Sequence, residues 1–171
     1  DNTGKLGPLP AAIGAIAAGS NDPRLAFQLA NGANITLTAS TNPSIYGLVP
    51  NAGTTAATLT LPNSGTLTLN GILQANTGAS TINAGTGTSN LVIGSERNFV
   101  INMDNTGGLT INAPIVNNGG GASGVTIAST IPSGTPGTVV FGGANTYTGP
   151  TGIHNGTLVI NNATALGGNI P

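Results

Sequence analysis

From residue 34 onward, apolar and polar positions alternate in short bursts. Ile35-Thr36-Leu37-Thr38, Thr58-Leu59-Thr60-Leu61 and Thr66-Leu67-Thr68-Leu69 each set an aliphatic side chain at every second residue. That period sends successive side chains to opposite faces of an extended strand, so the aliphatics face a core and the threonines face outward. Leu91-Val92-Ile93, Phe99-Val100-Ile101, Leu109-Thr110-Ile111, Val125-Thr126-Ile127, Val139-Val140-Phe141 and Thr157-Leu158-Val159-Ile160 continue the series, each flanked by turn-forming residues. Such runs between turn formers predict short strands. Within the series, Thr41 to Ala56 and Asn117 to Ser123 read as loops.

The one helix-like passage is Asp22-Pro23-Arg24-Leu25-Ala26-Phe27-Gln28-Leu29-Ala30. A capping residue, Pro at the first helical position and good helix formers predict one short N-terminal helix ending before Gly32. The chain therefore divides into a lead-in or capping segment, 1–32, and a strand-rich body, 33–171, expected to continue in a longer parent protein. Leu9 to Ala18 has the apolar character of a signal-peptide core behind Lys5, but Pro10 and Gly14 interrupt it. It reads better as part of the lead-in.

Many short strands can form a sandwich, a barrel or a parallel β-helix. Three features favour the β-helix. Aromatic residues make up 3% of the chain, so its core must be filled by stacked Ile, Leu and Val. Asn and Gly cluster at the ends of apolar runs, as in Ile82-Asn83, Ile101-Asn102, Ile111-Asn112 and Ile160-Asn161, where amides can ladder between coils. Thr81-Ile82-Asn83-Ala84 also recurs as Thr110-Ile111-Asn112-Ala113, and Asp1-Asn2-Thr3-Gly4 as Asp104-Asn105-Thr106-Gly107. Loose self-similarity of this kind marks stacked repeats.

Composition removes several functions. Charged residues are 4% of the chain and the formal net charge is −1. Three cations cannot neutralise a phosphate backbone, so nucleic acid is excluded as a partner. No apolar run reaches the roughly 20 residues that span a bilayer, so no insertion by this segment is expected. With no Cys there is neither a disulfide framework nor a thiolate metal site.

The C-terminal stretch carries a more specific signal. Val139-Val140-Phe141-Gly142-Gly143-Ala144-Asn145-Thr146-Tyr147-Thr148-Gly149-Pro150-Thr151-Gly152-Ile153 leads into Asn155-Gly156-Thr157-Leu158-Val159-Ile160 and then Ala165-Leu166-Gly167. In order and spacing, residues 139–168 resemble the passenger-associated repeat of bacterial autotransporters, the type V secretion family. The resemblance implies a right-handed parallel β-helix, secreted or displayed at the cell surface, that serves adhesion, aggregation or surface coating. Within the motif, the Tyr147 ring is expected to cover the apolar stack while its hydroxyl stays in water. Leu158 and Ile160 are expected to face inward, with Thr157 and Val159 outward.

Candidate chemistry is sparse. Glu96 and Asp104 could meet on adjacent coils, as glycosidase carboxylates do, but they read as solvated surface groups. His154, needed for any Ser-His-acid triad, falls in the turn between two motif strands. Asn117-Asn118-Gly119-Gly120-Gly121 has the glycines of a calcium-binding nonapeptide repeat but lacks its Asp. No catalytic, cofactor-binding or metal-binding residue is therefore assigned, and no cofactor is expected. The expected function is a non-catalytic surface-displayed structural or adhesion module, its partner a host-surface or self-association ligand, with homotypic association a further expectation. Two alternatives remain: a non-catalytic part of a carbohydrate-active β-helix enzyme, and an ice-binding solenoid built on Thr36/Thr38, Thr58/Thr60 and Thr66/Thr68. Unequal separations between those pairs argue against a continuous threonine ladder.

Overall fold

Alternation of aliphatic and polar residues is satisfied in a computed structural model that describes residues 26–37, 42–50, 53–130 and 137–169. Fourteen strands fall in the order β1 (Ala26–Gln28), β2 (Asn34–Thr36), β3 (Ser44–Val49), β4 (Ala57–Thr60), β5 (Thr66–Gln74), β6 (Ser80–Asn83) and β7 (Asn90–Ile93), then β8 (Asn98–Met103), β9 (Leu109–Ile111), β10 (Ile115–Val116), β11 (Gly124–Ala128), β12 (Thr138–Phe141), β13 (Thr151–Ile153) and β14 (Thr157–Ile160). The described residues form an all-β structure with two sheets, and their helix content is one 3-10 turn, Gly167–Asn169.

The first sheet runs β1-β3-β5-β8-β11-β13, with β7 pairing β5 and β10 pairing β7; the second runs β2-β4-β6-β9-β12-β14. Every strand pairing within each sheet is parallel. Parallel partners cannot be joined by a tight hairpin, so each strand pairs with one met only after the chain has visited the other sheet or turned a corner. The long strand β5 shows such a corner. Its first half, Thr66–Leu69, pairs β7, and its second half, Gly71–Gln74, pairs β8.

Register converts the alternation into columns. On the second sheet Ile35, Leu59, Ile82, Ile111, Phe141 and Ile160 align, as do Ala57, Ser80, Leu109, Val139 and Leu158. On the first, Phe27, Leu48, Ile72, Ile101, Ile127 and Ile153 align. Between the sheets the buried members of these columns, Leu59, Leu48, Ile82, Ile101, Ile111 and Ile127 among them, join Phe141 and Tyr147 in one apolar cluster, while Ile153 and Ile160, on the last strands, are exposed. Fully burying one such aliphatic is worth about 1.5–3 kcal/mol. The recurrence of Thr-Ile-Asn proves to be a stacked pair: Thr81 opposes Thr110, Ile82 opposes Ile111, and Asn112 Nδ2 donates to Asn83 Oδ1 at 2.9 Å.

Three expectations need correction. Where the described residues overlap the expected helix, Ala26–Gln28 is a strand paired with Gly47–Val49. Phe27 and Leu29, two residues apart, both reach the core, and the Leu29 N–H donates to the Val49 carbonyl at 2.9 Å. That pairing outweighs a weak local helix preference. The expected loop Thr41 to Ala56 contains β3, whose Ile45 and Leu48 are each 1% exposed. It escaped the alternation pattern because its buried residues, Ile45 and Leu48, are three apart rather than two, and prolines bracket it. Finally, Leu158 packs against the core in register with the buried Val139, as expected, but Ile160, in register with the buried Phe141, is 49% exposed. β14 is the last strand of its sheet, so no described strand lies beyond it. Leu9–Ala18, Asp22–Leu25, Thr38 and Asp1-Asn2-Thr3-Gly4 lie outside the described residues.

Candidate functional site

Asparagine recurs at the corners, and its amide ties one pass of the chain to the next. Asn31 Oδ1 accepts the Thr55 N–H, Asn42 Oδ1 that of Thr66, Asn63 Oδ1 that of Thr86 and Asn70 Oδ1 that of Glu96, at 2.8–3.1 Å and separations of 23 to 26 residues. Asn117 Oδ1 accepts from the Ser123 and Thr148 N–H groups, each at 3.0 Å. Corner amides of this kind satisfy backbone donors that the strands leave unpaired. The loop Asn117–Ser123 is thus spent on internal bonding, and Arg97 lies across its Gly120 and Gly121. No group of three His, Asp or Glu comes together among the described residues.

The motif residues 139–168 fold onto one another. Asn145, 2% exposed, accepts the Ile115 N–H at 2.8 Å and donates through Nδ2 to the Ala165 carbonyl at 2.6 Å. The Gly168 N–H donates to the Tyr147 carbonyl at 2.8 Å. Gly167 has φ +67, and a Cβ there would collide with that same carbonyl, which explains a glycine at this point. Tyr147 departs from expectation: it is fully buried, and its hydroxyl is 2.6 Å from Thr151 Oγ1 rather than in water. Burial pushes the phenol above its ordinary value, and the Thr151 hydrogen bond opposes that shift.

The residues weighed for catalysis, and read from the sequence as surface groups, do not assemble. Glu96 and Asp104 are exposed and lie beyond opposite ends of the six-residue β8, so at about 3.3 Å per residue they are far apart rather than neighbours on adjacent passes. His154 is exposed just after β13. The threonine pairs divide between the sheets: Thr36 and Thr58/Thr60 lie on the second, Thr66/Thr68 on the first. Thr58, Thr81 and Thr110 do form one outward column, but it passes into Val140 and Val159.

One concavity stands out, on the outer face of the first sheet. There Ala26, Gly47 and Gly71 align across β1, β3 and β5, so along this row three neighbouring strands carry a single methyl group, between the aliphatic side chains of Val49 and Leu73 that also line the hollow. The resulting trough has a volume of about 570 Å³. Tyr46, 52% exposed, and Val100, 39% exposed, border the bare backbone, and Asn70, Glu96 and Asn98 supply the polar part of the lining. Asn70 Oδ1 holds the Glu96 N–H at 3.1 Å, which fixes the turn that carries Glu96. Asn98 Oδ1 accepts from Thr126 Oγ1 at 2.9 Å. The site escaped sequence reasoning because its floor is defined by missing side chains. The aligned glycines, Gly47 and Gly71, are separated by a whole passage through the second sheet. Comparison with protein-family models, curated proteins and solved structures finds no match to this chain.

Proposed function

We propose that this chain winds as a right-handed parallel β-helix and belongs to an autotransporter passenger, displayed at a bacterial surface as a non-catalytic structural and adhesive module. The observation that carries the reading is the closure of the 139–168 motif. Its Asn-Thr-Tyr-Thr-Gly and Ala-Leu-Gly halves, about twenty residues apart, meet through the Asn145–Ala165 and Tyr147–Gly168 hydrogen bonds. The residues that give the sequence its resemblance are therefore the residues that hold this segment together. Alternating visits to two parallel sheets support a solenoidal path, and the strong preference of parallel crossovers for one hand supports right-handed winding. Scattered single charges and exposed amides suit a coat or a binding surface better than acid–base chemistry.

Surface display is tested on intact cells of the producing bacterium, labelled with an antibody to the folded chain and shaved with an external protease. Labelling without permeabilisation, lost on shaving, is the expected result. Labelling that requires permeabilised cells refutes the passenger reading.

A further inference from the structure

We infer that the trough over Gly47 and Gly71 is a binding site for a neutral saccharide. This deepens the adhesive-module reading and rests on it for the source of the ligand. The trough requires two glycines. A side chain at position 47 would have room, since its Cβ would lie 3.6 Å from the Gly71 carbonyl oxygen and 4.0 Å from the Ala26 Cβ. Glycine there leaves space that packing does not demand. At position 71 a Cβ would press to 2.8 Å on the Val100 carbonyl oxygen, so that glycine serves the close approach of β8.

The chemistry of the lining matches a sugar ring. A pyranose has an apolar C–H face and a rim of hydroxyls. The bare floor and the exposed Tyr46 ring offer the apolar surface, since an aromatic face receives C–H groups well and the phenol end stays polar. With their amide oxygens held by the Glu96 N–H and the Thr126 hydroxyl, Asn70 and Asn98 each retain an NH2 group that has no partner among the described residues. These are donors for hydroxyl oxygens, and the Glu96 carboxylate is an acceptor for hydroxyl protons. A few placed polar groups on a mostly apolar concavity, in a volume of about 570 Å³, is the usual composition of a small-ligand site. Charge selects among saccharides. Among the described residues of the lining the charged group is Glu96, while Arg97 is turned onto Gly120 and Gly121, so an acidic sugar would meet repulsion from it and an uncharged one would not.

The experiment titrates the isotopically labelled purified chain with cellotetraose, maltotetraose and tetra-N-acetylchitotetraose, each to about 10 mM, with tetragalacturonate as the acidic comparison and decanoate as the apolar one. Shifts of the Gly47, Gly71, Asn98 and Val100 amides with at least one neutral oligosaccharide, at dissociation constants of about 0.1–5 mM, are expected. Gly47→Val should fill the floor and abolish the shifts, and Tyr46→Ala should weaken binding about tenfold or more. Both positions are outside the core columns, so the Ile82, Ile111 and Ile127 amides should be unchanged and report that each variant is folded. No shift with any neutral oligosaccharide overturns the inference. So do shifts that persist in Gly47→Val, or stronger binding of tetragalacturonate or decanoate. Because the titration uses purified chain, failure of surface display on cells leaves its outcome untouched, and a negative titration leaves surface display untouched.

Discussion

Removing the Asn145 side chain should cost far more than its size suggests. Asn145→Ala strips the Ile115 N–H and the Ala165 carbonyl of the same partner, at positions where Ile115 and Ala165 are 0% exposed. A buried polar group left unpaired costs about 1–3 kcal/mol, so the two together should destabilise by about 2–5 kcal/mol. For a chain of this size that corresponds to a fall of about 5–15 °C in Tm. Urea denaturation followed by far-UV circular dichroism measures it, with Asn31→Ala as the comparison. Asn31 also accepts a backbone N–H, from Thr55, but the bond is exposed and water can replace it; its loss should cost less than about 1 kcal/mol. Asn145→Asp adds a test of sign. The new carboxyl cannot donate to the Ala165 carbonyl when ionised, and burial raises its pKa above the ordinary value of about 3.9. Its penalty should therefore be small below about pH 4 and should grow as pH rises through the folded-state value. An Asn145→Ala cost below about 1 kcal/mol, or an Asn145→Asp deficit that does not change with pH, would refute the double-tie argument.

Facing on the second sheet gives a further prediction. Ile111→Asp places a charge in the apolar column between Ile82 and Phe141 and should destabilise by several kcal/mol, whereas Thr110→Asp on the outward side should cost about 1 kcal/mol or less, both read from urea midpoints; equal losses would contradict the register. Tyr147 should set an alkaline limit. With its phenol pushed above 10.0 in the folded chain, the unfolded chain ionises first, so stability from this group is intact below about pH 10 and declines above it. The Tm difference between wild type and Tyr147→Phe, scanned from about pH 8 to 11, should move in favour of the variant as pH rises, and parallel curves would show that burial does not govern this hydroxyl.

The residues alone carried a local grammar where apolar and polar positions alternate strictly: there, the extended runs and their inward sides were legible. Thr58-Leu59-Thr60 and Leu109-Thr110-Ile111 read correctly because strand alternation is a property of neighbouring residues. The Thr-Ile-Asn recurrence announced a true stacked pair, because identical side chains suit identical places in adjacent strands. Tertiary structure decided the rest. Ala26–Gln28 became strand only because Gly47–Val49 was there to pair with it, which no feature of the first segment reveals. Tyr147 lost its contact with water because the surrounding chain buries its whole side chain, leaving Thr151 Oγ1 as the partner of its hydroxyl. The trough needed Gly47 beside Gly71, and in the sequence each is merely a glycine within an apolar run. Parallel pairing joins residues as little as 19 apart (Thr138 and Thr157) and as much as 30 apart (Leu109 and Val139), with an intervening path of variable length. Local patterns therefore fix the faces of the strictly alternating strands, not of β3 and β5, where two neighbours share a side, and register decides which exposed side chains become neighbours and form a site.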